Sequence, residues 1–175
     1  AGLPATDVVG LPEVQFDAKC SGTPGRAGLK NPEPVAIDPA RRRLYVGDRG
    51  NSRVLVFQLT DAGYPDSTDA IAVIGQPNFS TCQDPTAPSD AVVKLPSGLA
   101  VDPASGRLFV ADYGFNRVLI FDANALDAGM RAVRVLGQSN MTDEFFDSGV
   151  AGLNGPTGLA YNGPSELFVA DQANN

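Results

Sequence analysis

The chain has 175 residues, 43% of them hydrophobic, and a formal net charge of −7, which suffices for one domain with a core of its own. An acidic surface repels phosphate backbones, which argues against nucleic acid as a partner, and no apolar stretch approaches the roughly 20 residues that a bilayer-crossing helix needs. Nineteen glycines, fourteen prolines, no Trp, no His and no long helical pattern describe a protein of strands and turns.

The chain opens at Ala1 with no signal-peptide pattern, as a processed or trimmed chain would. Asp7-Val8-Val9-Gly10-Leu11 is the first apolar run. A longer pattern then appears three times, as PEPVAIDPARRRLYVGDRGNSRVLVF from 32 to 57, PSGLAVDPASGRLFVADYGFNRVLIF from 96 to 121, and PTGLAYNGPSELFVADQANN from 156 to 175. Pro32, Pro96 and Pro156 anchor the copies at spacings of 64 and 60 residues. First strands are expected at 34–38, 98–102 and 158–162, and second strands at 43–48, 107–112 and 166–171. The segments between them hold Asp or Asn, Pro and Gly, residues that close turns by bonding their own backbone, presetting φ or supplying φ > 0. Third strands follow at 53–57 and 117–121, and fourth strands at 72–76 and 133–138, with 7–11 as a related lone fourth strand. The connectors 58–70 and 122–131 read as loops, with at most a helical turn near 123–130. Four-stranded units recurring about every 60 residues predict an all-β propeller built from blades, since the repeats of a parallel β-helix are much shorter. The predicted organisation over 1–175 is one propeller segment, with blades at 32–75 and 96–137 and a partial blade at 156–175 that stops after its second strand.

The copies Leu-Ala-Val-Asp-Pro-x-x-Gly-x-Leu-Phe-Val-Ala-Asp-x-x-x-Asn-Arg-Val-Leu-Ile-Phe-Asp resemble the NHL repeat, in the bacterial-type form whose blades end in a Gly-Gln-Pro-Asn-Phe-like segment. That segment is Gly75–Phe79 here and returns as Gly-Gln-Ser-Asn-Met at 137–141. The resemblance implies a propeller most often of six blades, of which this chain would supply about half. The remaining blades are then expected from a longer parent chain or from another copy. The chain departs from the family in one respect, because Ser52 and Asn116 replace its usual His. Asp48, Asp112 and Asp171 end the second strands, Asn51, Asn116 and Asn174 lie in the turn beyond, and Arg53 and Arg117 stand five residues after their Asp. Asp accepts from turn amides, Asn tolerates the left-handed conformation, and Arg is within reach of a charge-assisted bond. Their recurrence in every blade favours a structural role.

Chemistry has few candidates. A chain without His has no Ser-His-Asp triad, no histidine base and no His-bound metal, so the lyase chemistry of some NHL-type propellers is excluded. Two cysteines do not make a thiolate zinc site. No cofactor is expected, although calcium suits Asp and Asn oxygens. Lactonase-like propellers place such ligands around an axial ion, and Asp38, Asp102 and Asn162 stand at the corresponding strand ends. All three occupy one repeat position, which favours turn capping instead. Cys20 and Cys82 both follow a fourth strand, which permits a disulfide if their Cα atoms come within about 4.4–6.8 Å; two unrelated loop thiols are the other reading. Asn78-Phe79-Ser80 and Asn140-Met141-Thr142 fit the glycosylation acceptor pattern. The basic run Arg41-Arg42-Arg43 reads as a solvated turn, and Phe145-Phe146 as an apolar plug beneath an acidic loop.

The expected function is a non-catalytic binding or scaffolding propeller module that presents loops to a protein or small ligand. The alternatives are a structural subunit assembling through open strand edges and a lactonase- or hydrolase-like enzyme with an axial divalent metal. The possible disulfide, the acidic surface and the presence of only three lysines point to an extracytoplasmic location.

Overall fold

The computed structural model describes residues 26–81, 83–127, 129–146, 149, 151–163 and 166–174. Among them are three antiparallel sheets and no α-helix. Blade 1 comprises β1 (Pro32–Asp38), β2 (Arg43–Asp48), β3 (Arg53–Gln58) and β4 (Ala72–Ile74). Blade 2 comprises β5 (Pro96–Asp102), β6 (Arg107–Asp112), β7 (Arg117–Asp122) and β8 (Ala132–Leu136). Blade 3 pairs β9 (Pro156–Tyr161) with β10 (Leu167–Asp171). In each four-stranded blade the strands lie side by side in chain order, as a meander. The lone strand expected at 7–11 lies outside the described residues.

The first strands begin two residues earlier than the apolar runs suggest, at the prolines. The residue ahead of each proline is left-handed: Asn31 at φ 47°, Leu95 at 55° and Gly155 at 65°. Proline disfavours an α conformation before it, and a left-handed residue there turns the incoming loop sharply into the strand. The fourth strands are shorter than expected, and 123–127 consists of turn and bend instead of a helical turn.

The blades stack through their apolar faces, with β1 against β5 and β5 against β9. Strand alternation sends successive side chains to opposite faces. Tyr45, Val54, Val56 and Ile74 of blade 1 therefore meet Leu99, Leu108, Val110, Leu119 and Phe121 of blade 2 in one core. The other face of blade 2, Ala100, Phe109, Val118 and Ile120, packs on Leu159, Tyr161, Leu167 and Val169 of blade 3. The Phe109 and Tyr161 rings stack with centroids 5.5 Å apart.

Arg41-Arg42-Arg43 is not simply a solvated turn. Arg41 bonds Asp38, the Pro103 carbonyl and Asn124, and Arg43 donates to the Ala123 carbonyl, so two of the three guanidiniums clasp blade 1 to blade 2. Arg42 pairs with the exposed Asp61.

Candidate functional site

Hairpin geometry sorts the connections into two groups at opposite ends of the strands. The turns after the second strands share one loop face with the long connectors 75–95 and 137–155. The turns after the first strands share the other face with 59–71 and 123–131.

The first loop face is held from inside by buried ion pairs. Asp48 and Arg53 are buried, and Arg53 Nε donates to Asp48 Oδ2 at 2.7 Å. Arg117 and Asp112 repeat this at 2.7 Å. Each guanidinium reaches on to loop carbonyls: Arg53 to Gly28 and Phe79, Arg117 to Ser89, Val92 and Met141. The other carboxylate oxygen accepts the backbone N–H of Lys30 or Lys94, at 2.6 Å in both blades. In blade 3, Asp171 accepts from the Asn154 N–H at 2.7 Å and from Asn174 Nδ2 at 2.7 Å. One carboxylate thus ties its own turn to the loop that enters the blade. Burial pushes the Asp112 carboxyl up to about 6, with desolvation outweighing the pull of Arg117. Asp48 is raised for the same reason, with desolvation outweighing Arg53.

The three turn asparagines fall into two roles. Asn116 is left-handed at φ 50°, and its counterpart in blade 1 is Ser52 at 51°. Asn51 lies within the 3-10 turn Arg49–Asn51 and donates Nδ2 to Asp48 at 2.9 Å. Asn51 and Asn174 are therefore partners of an Asp, not left-handed hinges. The position of Asn51 is held in blade 2 by Phe115, which is buried beneath both Lys94 and Arg117.

The connectors carry a second repeated clamp that sequence reading missed. Gln76 Nε2 donates to the carbonyls of Ser52 and Gln83, at 3.1 and 2.7 Å. Gln138 Nε2 donates to those of Asn116 and Phe145, at 2.9 and 2.7 Å. Only the recurrence of Gly-Gln at the blade ends hinted at it. Asn78 and Asn140 are exposed, and each Oδ1 accepts from a nearby backbone N–H and hydroxyl. Cys20 and Cys82 lie outside the described residues. Phe145 and Phe146 are 77% and 70% exposed, so they do not plug the loop.

On the opposite face an open groove of about 690 Å³ runs between blades 2 and 3, lined by Val101, Asp102, Ser105, Tyr161 and Asn162. Asp102 accepts from the Ser105 hydroxyl and the Ala104 N–H, and the Ser105 bond above all holds its carboxyl below the usual range. Asp38 caps its turn through the N–H groups of Ala40 and Arg41 and is paired with the Arg41 guanidinium at 3.0 Å. Asn162 Nδ2 donates to Glu166 at 3.1 Å. These residues do not fit a shared divalent ion, because Asp38 already carries a counter-cation and each side chain serves its own turn. Among the described residues, no group of three or more His, Cys, Asp or Glu is placed to hold a metal.

No match was found among curated proteins. The NHL repeat family model matches residues 29–57 and 94–121. Among solved structures, the chain is similar to a luciferin-regenerating enzyme at 16% identity and a TM-score of 0.52, over 85% of this chain and 40% of that one. It is also similar to hydrazine synthase of Kuenenia stuttgartiensis, at 14% identity and a TM-score of 0.44, over 79% of this chain and 28% of that one. An auxiliary nutrient binding protein from Bacteroides thetaiotaomicron matches at 13% identity and a TM-score of 0.49, over 80% of this chain and 35% of that one. The chain thus spans less than half the length of each of these structures. The chain thus carries two NHL repeats, at 29–57 and 94–121, set in the meandering four-stranded blades of a β-propeller fold.

Proposed function

We propose that this chain is a non-catalytic binding or scaffolding module whose loop face recognises a protein or small ligand. The observation that carries this reading is a division of labour on that face. The residues common to the blades, Asp48, Arg53, Asp112, Arg117, Gln76 and Gln138, are spent on holding loop backbones, while the outward residues of the connectors differ from blade to blade. Rigid loops with variable tips are how such scaffolds recognise partners. The reading needs no cofactor. The experiment is a turnover assay with lactones, esters and phosphate esters, with and without calcium, beside crosslinking of the purified protein to its native partners. Crosslinks concentrated in 75–95 and 137–155 without turnover are expected. Calcium-dependent turnover abolished by Asp102→Ala would replace the reading with the enzymatic one.

A second reading, assembly through open blade faces, is favoured by a specific observation. Val35 and Ile37 of β1 are 63% and 60% exposed, whereas Leu99, at the position of Val35 in blade 2, is 6% exposed. Phe168 on the far side of blade 3 is 57% exposed. These faces fit further blades, from a longer chain or another copy. Sedimentation of the purified protein tests this, with a single monomeric species arguing against assembly from copies. An extracytoplasmic location belongs to the same proposal. The mass of the unreduced protein tests it, since a Cys20–Cys82 bond removes two hydrogens.

A further inference from the structure

We propose that Phe145 and Phe146 form a docking knob for a partner protein that offers an apolar pocket rimmed by Lys and Arg. The inference rests on the binding-module reading above and names the surface and the partner chemistry.

Repeat equivalence is the starting point. Gln76 clamps the carbonyl of Gln83, seven residues on, and Gln138 clamps that of Phe145, also seven residues on. The clamp fixes the correspondence of the two connectors. Where the first presents Gln83 and Asp84, both exposed, the second presents Phe145 and Phe146. Residues that maintain the blade obey the repeat, and this pair breaks it.

The pair is also held outward. The Phe145 carbonyl is fixed by Gln138, and the Glu144 carbonyl accepts from Asn116 Nδ2 at 3.0 Å. Two side-chain amides of the blade 2 frame thus pin adjacent backbone carbonyls, while the rings that follow are 77% and 70% exposed. Two adjacent exposed aromatic side chains on a pinned backbone are expensive in water and cheap to order on binding, which is the profile of an interface anchor.

Charge selects the partner. The segment reads Thr-Asp-Glu-Phe-Phe-Asp from 142 to 147, in a chain of net charge −7. The exposed Glu144 beside the aromatic pair, in an acidic chain, favours a basic border on the partner and steers its approach. The same negative charge repels the anionic surface of a membrane, so a protein is the better match.

The test uses the full chain as bait for a display library of random peptides, beside the Phe145→Ser/Phe146→Ser double variant. Phe145→Leu/Phe146→Leu serves as a control that keeps the surface apolar, and circular dichroism confirms that each variant is folded. The expected result is a peptide family combining apolar residues with Lys or Arg, lost at least tenfold in the Ser variant and weakened by salt. Peptides that survive the Ser variant would overturn the knob and leave the binding-module reading standing. Failure to enrich any peptide on the native chain would overturn the knob, while crosslinking continues to judge the module separately. Pair-dependent binding to phosphatidylserine vesicles would make the knob a membrane contact, and pair-dependent self-association would make it a contact between copies; either result overturns the proposal.

Discussion

Phe109 in β6 and Phe168 in β10 stand at the same place in the words Leu-Phe-Val-Ala-Asp, yet Phe109 is 7% exposed and Phe168 57%. Phe109 lies between blades 2 and 3 and stacks on Tyr161, whereas the corresponding face of blade 3 has no blade against it among the described residues. The same contrast runs from Leu99 to Val35, at 6% and 63%. A repeat encodes a side chain and the face it occupies. Whether that face is core or surface depends on what stands beside it.

The largest effect expected within this comparison belongs to the buried pair of blade 2. Arg117→Ala leaves Asp112 without its cation and the carbonyls of Ser89, Val92 and Met141 without a donor. A cost of about 3–5 kcal/mol follows in denaturant unfolding. The exposed Arg131–Asp90 pair, at 2.6 Å with Arg131 72% exposed, is the matched surface case, and Arg131→Ala is expected to leave the unfolding midpoint nearly unchanged. Equal costs would mean that burial is not what makes the Arg117 pair matter.

Next come the two phenylalanines. Phe109→Ala should cost about 3–5 kcal/mol, and Phe168→Ala about 1 kcal/mol or less, because little of that ring leaves water. A large loss at Phe168 would show that the outer face of blade 3 is covered in solution. The glycines give a finer version. A Cβ on Gly98 would lie 2.4 Å from the Thr157 carbonyl oxygen of blade 3, whereas one on Gly158 would meet only Ala170 Cβ at 3.5 Å. Gly98→Ala should therefore cost about 1–3 kcal/mol. Gly158→Ala should be neutral or gain up to about 1 kcal/mol from the reduced freedom of the unfolded chain. A shift in melting temperature of the same size for both would refute the neighbouring-blade explanation.

The smallest effect is a pH dependence. The Asp112 carboxyl is raised from 3.8 to about 6 by burial, so between those values the folded chain holds a proton that the unfolded chain has released. The stability contributed by this group therefore increases as pH falls through 6, is complete below 3.8, and is lost as pH rises through 6. Carboxyl carbon titration by NMR should place the Asp112 midpoint near 6. The stability difference between the wild type and Asp112→Asn should move in favour of the wild type from pH 7 to pH 4. A midpoint at or below 3.8 would mean that Arg117 outweighs desolvation.

The hairpins were legible because alternation and turn chemistry act within a dozen residues. The Asp–Arg bond was legible for the same reason: Asp112 and Arg117 are register partners across one turn. The equivalence of Asn51 with Phe115 was obscured, because a shared Asn-Arg pattern drew Asn51 and Asn116 together although they hold different places in the turn. The left-handed conformation of Leu95 was invisible, since Leu carries no mark of it and the loop geometry imposes it. Arg41 read as solvent-facing because its partner Asn124 is 83 residues away. Phe145 and Phe146 read as a plug because an apolar pair is normally buried, and the bonds from Gln138 and Asn116 to the carbonyls beneath them leave no mark in the sequence.

The amino-acid sequence alone established the repeat, the four-stranded blade and the turn chemistry. All of these follow from residue types and from spacings within one repeat. The tertiary structure alone decided which copies of a motif are core, which arginines bridge blades, and which connector exposes an aromatic pair. The reason is physical: desolvation and close packing depend on atoms brought together from distant parts of the chain, and a repeated sequence spells the same side chain whether or not a neighbour removes it from water.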